Sequence, residues 1–222
     1  MFDYIWLDDK SPILKQLPSN FKSAAILLHP FVQMSFEWKP IMQQDLYPSN
    51  GELLKYGIPV TWEKVMHDSG INTTKELALA LKTSIGALRN KFSRQDLTDK
   101  LNSNLRTNLY YPTEDSTSVF LISSLLDVLG SKGSSKLYFS DPIFDKRGWI
   151  KINDVTPLEI CDLTDKELIL TDENMDFAFM SIYDSFTTLF ITKDENINAI
   201  VQLANWEAVI CDKDTYINWY LA

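Results

Sequence analysis

The longest stretch of consistent apolar and polar patterning runs from Lys166 to Asp212, more than 40 residues in which period, turn chemistry and helix caps agree. It predicts a three-stranded meander, a crossover helix and a fourth strand. The strands are Leu168–Thr171, Phe177–Tyr183, Phe186–Thr192 and Ala208–Cys211. The helix is capped by Asp194 and carries the apolar face Ile197, Ile200, Val201 and Ala204. Phe177–Tyr183 and Phe186–Thr192 are apolar on both faces and meet across Asp184-Ser185, which marks a central pair buried above and below. Beyond them Thr215–Leu221 returns Trp219 and Tyr220 to the body.

Upstream the period changes from two to three and four. Thr61 starts a helix that Gly70 closes. Thr73 or Thr74 caps a second, with Glu76 near the capping-box position and an apolar stripe Leu77, Leu81, Ile85, Leu88, Phe92. A third helix carries Leu97, Leu101 and Leu105. A strongly apolar helix begins at Thr113 or Ser116, contains Phe120, Leu121, Ile122, Leu125, Leu126, Val128 and Leu129, and stops at Gly130; an all-round apolar helix belongs across the sheet. Strands follow at Lys136–Ser140 and Trp149–Asn153, then a short helix over Thr156–Leu163 with Pro157 in its first turn.

The first 60 residues are less regular. A short strand is expected at Tyr4–Leu7 and a one- or two-turn helix from Ser11. The run Ala24–Met34 is a strand, or a strand that kinks at His29-Pro30. Residues 35–60 read as a long packed loop with aromatic anchors Phe36, Trp38 and Tyr47. Strands grouped apart from helices define an α+β class: one domain over 1–222, with a helical subregion at 51–130, strongest at 61–130, and a mostly antiparallel sheet subregion at 131–222.

Composition narrows the setting. At 222 residues, 45% hydrophobic and 12% aromatic, the chain can bury a proper core. The N-terminus is acidic where a signal peptide is basic, the longest apolar run is far too short to span a bilayer, and two cysteines 50 residues apart suggest a reducing compartment. A cytosolic protein without a membrane partner is expected. The net charge of −9 is uneven: residues 1–111 hold 13 Lys/Arg against 11 Asp/Glu, whereas residues 112–222 hold 8 against 19. That asymmetry favours solubility, and it also suits a basic partner for the acidic half.

Candidate chemistry is sparse. Only His29 and His67 are present, with no cysteine near either, so no zinc signature exists. Asp172, Asn174 and Asp176 imitate the start of a calcium loop, but Phe177 stands where glycine is required and Tyr183 where a glutamate is; a solvated turn is expected. Asp141 and Asp145 are a carboxylate pair that an acidic protein also produces by chance. His29, inside an apolar run, reads as a hydrogen-bonded core histidine, and His67, beside Asp68, as a surface or cap residue. Cys161 and Cys211 read as small buried hydrophobes. No phosphate loop, catalytic set, metal site or cofactor is expected. The binding candidates are therefore Trp38 as an exposed anchor and the turn acids Asp172, Asp176 and Asp184.

Two resemblances bear on function. The segment TTKELALALKTSIGALRNKFSRQDL resembles the helix-turn-helix of TetR-type repressors through Thr74, Glu76, Leu77, Ala78, Ser84, Gly86, Leu88, Phe92 and Leu97. It implies nucleic-acid binding over 74–94 by Lys82, Arg89, Lys91 and Arg94, within a locally basic stretch. The same stripe fits one unbroken helix equally well. The passages LPSNFKSAAILLHPFVQM, NLYYPTEDSTS and LILTDENMDFAFMSIYDSF resemble an uncharacterised family of bacterial cytosolic proteins, which implies no activity. The order of meander, helix and strand with an acidic surface is similar in outline to small immunity proteins that bind a toxin. Action by protein binding is the expectation, with a DNA-binding regulator as the alternative and a hydrolase with an acidic metal site as the third reading.

Overall fold

The computed structural model describes residues 3–39, 47–164 and 167–221. In chain order the elements are α1 (Ile13–Gln16), β1 (Ser23–Leu28), β2 (Phe31–Met34), α2 (Asn50–Tyr56), β3 (Gly57–Val60), α3 (Trp62–Ser69), α4 (Thr74–Ser84) and α5 (Gln95–Asn104). Then come β4 (Leu109–Tyr110), α6 (Val119–Gly130), β5 (Lys136–Asp141), β6 (Lys146–Lys151) and α7 (Pro157–Cys161). The chain ends with β7 (Ile169–Asp172), β8 (Phe177–Ser181), β9 (Thr187–Thr192), α8 (Ile197–Leu203) and β10 (Ala208–Ile210). The class is α+β, as expected. Among the described residues no helix is long and apolar enough to cross a membrane.

Seven strands form one antiparallel sheet in the order β10-β1-β9-β8-β7-β5-β6. The meander expected within 166–212 is its centre, and β1 completes that centre from the other end of the chain. Alternate residues of each central strand feed opposite cores, because side chains on a strand alternate in direction. Ala24, Ile26, Met180, Leu189 and Ile191 pack with Trp62, Leu77, Leu81 and Leu101 of α3, α4 and α5. Ala25, Leu27, Phe179 and Phe190 pack with Leu121, Leu125 and Leu129 of α6 and Val201 of α8. The sheet is thus the middle of three layers, and α6 lies across it. Phe179 stacks on Phe190 at 4.7 Å, and the Trp206 ring meets both edge-on.

The apolar run 24–34 divides at His29-Pro30. β1 enters the large sheet, while β2 joins β3 and β4 in a three-stranded sheet. Proline cannot donate to a ladder, so the break falls where the large sheet would need its N–H. The expected loop over 35–60 instead contains α2 and β3; residues 40–46 of it lie outside the described residues, as does Lys166. α2 begins with a capping box between Ser49 and Glu52. Gly57 then turns directly into β3, where a Cβ would sit 2.6 Å from the Leu53 carbonyl oxygen, so no larger residue fits.

Several boundaries differ from expectation. Tyr4–Leu7 is irregular although Tyr4, Ile5 and Leu7 still pack on the core, and Pro12 caps α1 from outside its first turn. α4 stops at Ser84, so neither an unbroken helix to Phe92 nor a second helix over 85–92 forms. Gly86 takes a left-handed φ of 71° and its N–H donates to the Thr83 carbonyl, the usual way a helix is closed. The apolar stripe misled because Leu88 and Phe92 sit in turns. α6 begins at Val119, since residues 113–118 are irregular, bend at Asp115 and are tied to other elements. β6 begins at Lys146, with Asp145 at φ 51° in a tighter turn than expected. Asn196, not Asp194, caps α8; the Asp194 carboxylate pairs with Lys132 at 2.8 Å.

Candidate functional site: the cleft at the β8–β9 turn

A group of polar side chains meets where the turn at residues 182–186 contacts the irregular segment 113–118. His29 joins them. It is fully buried, its backbone N–H donates to the Phe186 carbonyl, and its own carbonyl accepts from Trp62 Nε1 at 2.7 Å. Its Nδ1 lies 2.7 Å from the Thr113 carbonyl oxygen, which can only accept, so Nδ1 carries the proton. Nε2 therefore accepts from the Thr188 hydroxyl at 2.8 Å, and Thr188 Oγ1 is itself 3.0 Å from Thr117 Oγ1. Burial holds the imidazole neutral and pushes its pKa down to about 4, against a smaller upward pull from the Thr113 carbonyl. The core histidine expected from the sequence is a tie between two loops.

Those loops carry three acids. The Asp115 carboxylate accepts from the Asp184 N–H at 2.6 Å, and the Asp115 N–H donates to the Ser185 carbonyl at 2.9 Å. Both aspartates hold left-handed backbones, φ 63° and 48°, which Asp tolerates better than most residues. Carboxylate oxygens of Glu114, Asp115 and Asp184 all lie within 4.8 Å of one another. Partial desolvation, then Asp115 and Asp184, pushes the Glu114 carboxyl up although its side chain remains exposed. The field of the trio acts on Lys82, and no metal site is assigned to the three acids.

Lys82 reaches the trio from the last turn of α4. Its ammonium donates to the Asp184 carbonyl and lies 5.6 Å from the centre of the Tyr220 ring. It is the one charged side chain lining a cavity of about 100 Å³ walled by Trp62, Leu81, Phe186, Trp219 and Tyr220. Burial lowers the amine pKa to about 8, although Asp184, Glu114 and Asp115 pull it back up. A shallower groove of about 540 Å³ adjoins this cavity through Ile182, Tyr183 and Ile217. Tyr4, Trp6, Ile143 and the buried Glu167 form its other walls, and Trp6, Ile143 and Tyr183 are exposed. The Tyr183 phenol is pushed up, first by the Asp184 carboxylate; Tyr4 is pushed up by burial and then by Glu167 and Asp115.

Only two of the candidates read from the sequence meet here, Asp184 and Lys82, and they come from competing readings. Trp38 is not an exposed anchor: it is buried, its Nε1 donates to Glu52 at 2.9 Å, and its ring meets Tyr110 edge-on. Asp172 is likewise buried rather than solvated, and Asp176 pairs with Lys193 at 3.2 Å. Arg89 is exposed, Lys91 lies over Phe92, and Arg94 pairs with Asp96, all in the turns after α4 where no recognition helix exists. Asp141 turns inward to accept from the N–H groups of Ile143 and Phe144, while Asp145 pairs with Arg147. Glu114, Asp115 and Glu167 escaped the sequence reading. They lie far from Lys82 along the chain, and no spacing rule connects them.

Fold and site together define a three-layer α+β protein with an antiparallel sheet and an acidic, aromatic cleft holding the half-buried Lys82 amine. The chain belongs to the family described as protein of unknown function (DUF2711), whose model matches residues 9–221. It is 48% identical over 224 residues to the uncharacterized protein YwbB of Bacillus subtilis (strain 168), covering 99% of this chain and 100% of that protein. The family agrees with the resemblance carried by the three passages quoted above. No solved structure matches the chain.

Proposed function

We propose that the protein acts by binding, and that the cleft at the β8–β9 turn receives a basic segment of a partner protein that inserts an apolar side chain. The observation that supports this reading most directly is the groove beside Tyr183. It exposes Trp6, Ile143 and Tyr183 together, and Glu167, Asp115 and Asp184 lie close enough to raise the phenol at its centre. Aromatic anchors ringed by charge of one sign suit a partner of the opposite sign, which is steered in by the field and held by burial of the apolar group.

A model peptide of alternating lysine and leucine, titrated while the protein's tryptophan fluorescence is followed, tests the reading. Saturable binding that weakens with salt and falls about tenfold in Tyr183→Ala is expected, since an exposed aromatic anchor contributes on the order of 1–2 kcal/mol. Equal binding of a glutamate and leucine peptide, or no effect of Tyr183→Ala, would refute it.

A further inference from the structure

We propose that Lys82 is a reactive amine that condenses with a small aldehyde or ketone to form an imine in the cavity beside the acidic trio. Three features of the geometry converge on this. The amine stands at an otherwise uncharged cavity whose walls are largely Trp62, Leu81, Phe186, Trp219 and Tyr220. At about 100 Å³ that space holds about three waters, or an organic group of a few heavy atoms. The nitrogen donates to the Asp184 carbonyl, which places it at the turn that meets the acidic trio, and the charges of Asp184, Glu114 and Asp115 act on it from there. Asp115 and Asp184 are fixed through backbone hydrogen bonds rather than by the amine alone.

The chemistry balances within these groups. The neutral nitrogen of Lys82 uses its lone pair to form a C–N bond to the carbonyl carbon, and a nitrogen proton passes to the carbonyl oxygen, giving a carbinolamine. Glu114, the exposed member of the trio, relays a proton from solvent to the hydroxyl. Water leaves as the C=N bond forms. The iminium then keeps its positive charge against Asp115 and Asp184, or returns the proton to Glu114. Net, one amine and one carbonyl give one imine and one water. The lowered amine pKa of about 8 supplies the neutral form at neutral pH, as desolvated lysines do in Schiff-base sites. This inference goes beyond the docking of a basic segment and does not depend on it, since the probe below carries no charge.

The test uses the full chain with propanal and sodium cyanoborohydride, which reduces the imine to a stable secondary amine, followed by peptide mass mapping. At pH 7.5 an amine of pKa about 8 is neutral about 200 times more often than an ordinary lysine. A less basic amine is also less nucleophilic, so propyl labelling of Lys82 is expected to be about tenfold or more faster than at exposed lysines. Its rate should rise with pH to a midpoint near 8, and Glu114→Gln should slow it above that midpoint, where the amine is already neutral in both proteins, while leaving the other lysines unchanged. Lys82→Arg, checked for folding by circular dichroism, should lose only this label. Labelling of Lys82 no faster than that of exposed lysines, or an undiminished rate in Glu114→Gln, would overturn the proposal.

Discussion

β8 is bounded by two acidic turns, and the same residue type does opposite work in them. At residues 172–176, before the strand, the Asp172 carboxylate is fully buried and spends both oxygens on the protein. Oδ1 accepts from the N–H groups of Asp176 and Phe177 at 2.8 Å, and Oδ2 accepts from Asn174 N–H and the Ser134 hydroxyl at 3.0 Å. At residues 182–186, after the strand, Asp184 uses its backbone to bind Asp115 and Lys82 and leaves its carboxylate crowded by two others. The first turn resembles a calcium loop in sequence because aspartate is also the residue that closes a tight turn with its own side chain. The second has no motif, yet it meets a cavity. A carboxylate surrounded by N–H donors is structural; carboxylates whose charge acts on a cavity amine tune that amine instead.

The largest expected effect breaks the first turn. Asp172→Ala removes the acceptor of three backbone N–H groups and one hydroxyl, and a buried charge-assisted bond is expensive to leave unmade. A loss of about 3–4 kcal/mol in urea unfolding, followed by tryptophan fluorescence, is expected for this substitution. A loss below about 1 kcal/mol would mean that the turn holds without its carboxylate, and the contrast with Asp184 would fail.

A smaller effect concerns how the second turn is held. His29 has a folded pKa of about 4, below the unfolded value of about 6.5. The unfolded chain therefore binds the proton more readily. The stabilisation from the neutral ring is complete above pH 6.5 and is lost as pH falls from there toward 4, by about 3 kcal/mol in total. Replacing His29 by Gln should flatten that part of the stability curve relative to the parent chain. An unchanged acid slope in the variant would remove His29 as the pH-sensitive tie between residues 113–118 and β9.

The same contrast explains what could be read in advance. The meander, α3 with its Thr61 and Gly70 ends, and α7 behind Pro157 were legible because each is set by local period and capping. The end of α4 was not, because Ile85, Leu88 and Phe92 continue the helical spacing while Gly86 closes the helix. The place of one central strand was hidden for another reason: β1 pairs with β9 across more than 150 residues, a relation no local pattern carries. The site lies at the far limit of legibility. Lys82, Asp115 and Asp184 come from a helix end, a bend and a turn, and only tertiary packing brings them together.

The smallest effect on stability is the sharpest on the site. Asp184→Asn keeps the side-chain shape and the left-handed backbone, for which Asn is at least as well suited as Asp. It also relieves repulsion with Glu114 and Asp115, so unfolding free energy should change by less than about 1 kcal/mol. The Lys82 amine should respond more clearly. The Asp184 carboxylate is the largest of the charges opposing the effect of burial on it, so its loss should move the amine pKa further below about 8. The nitrogen would then be neutral over a wider pH range, and the pH midpoint of Lys82 labelling should shift down. NMR of selectively labelled lysine side chains reads that shift directly. A midpoint that stays put or rises would show that Asp184 does not act on the amine, and the second turn would then differ from the first only in lacking a buried carboxylate.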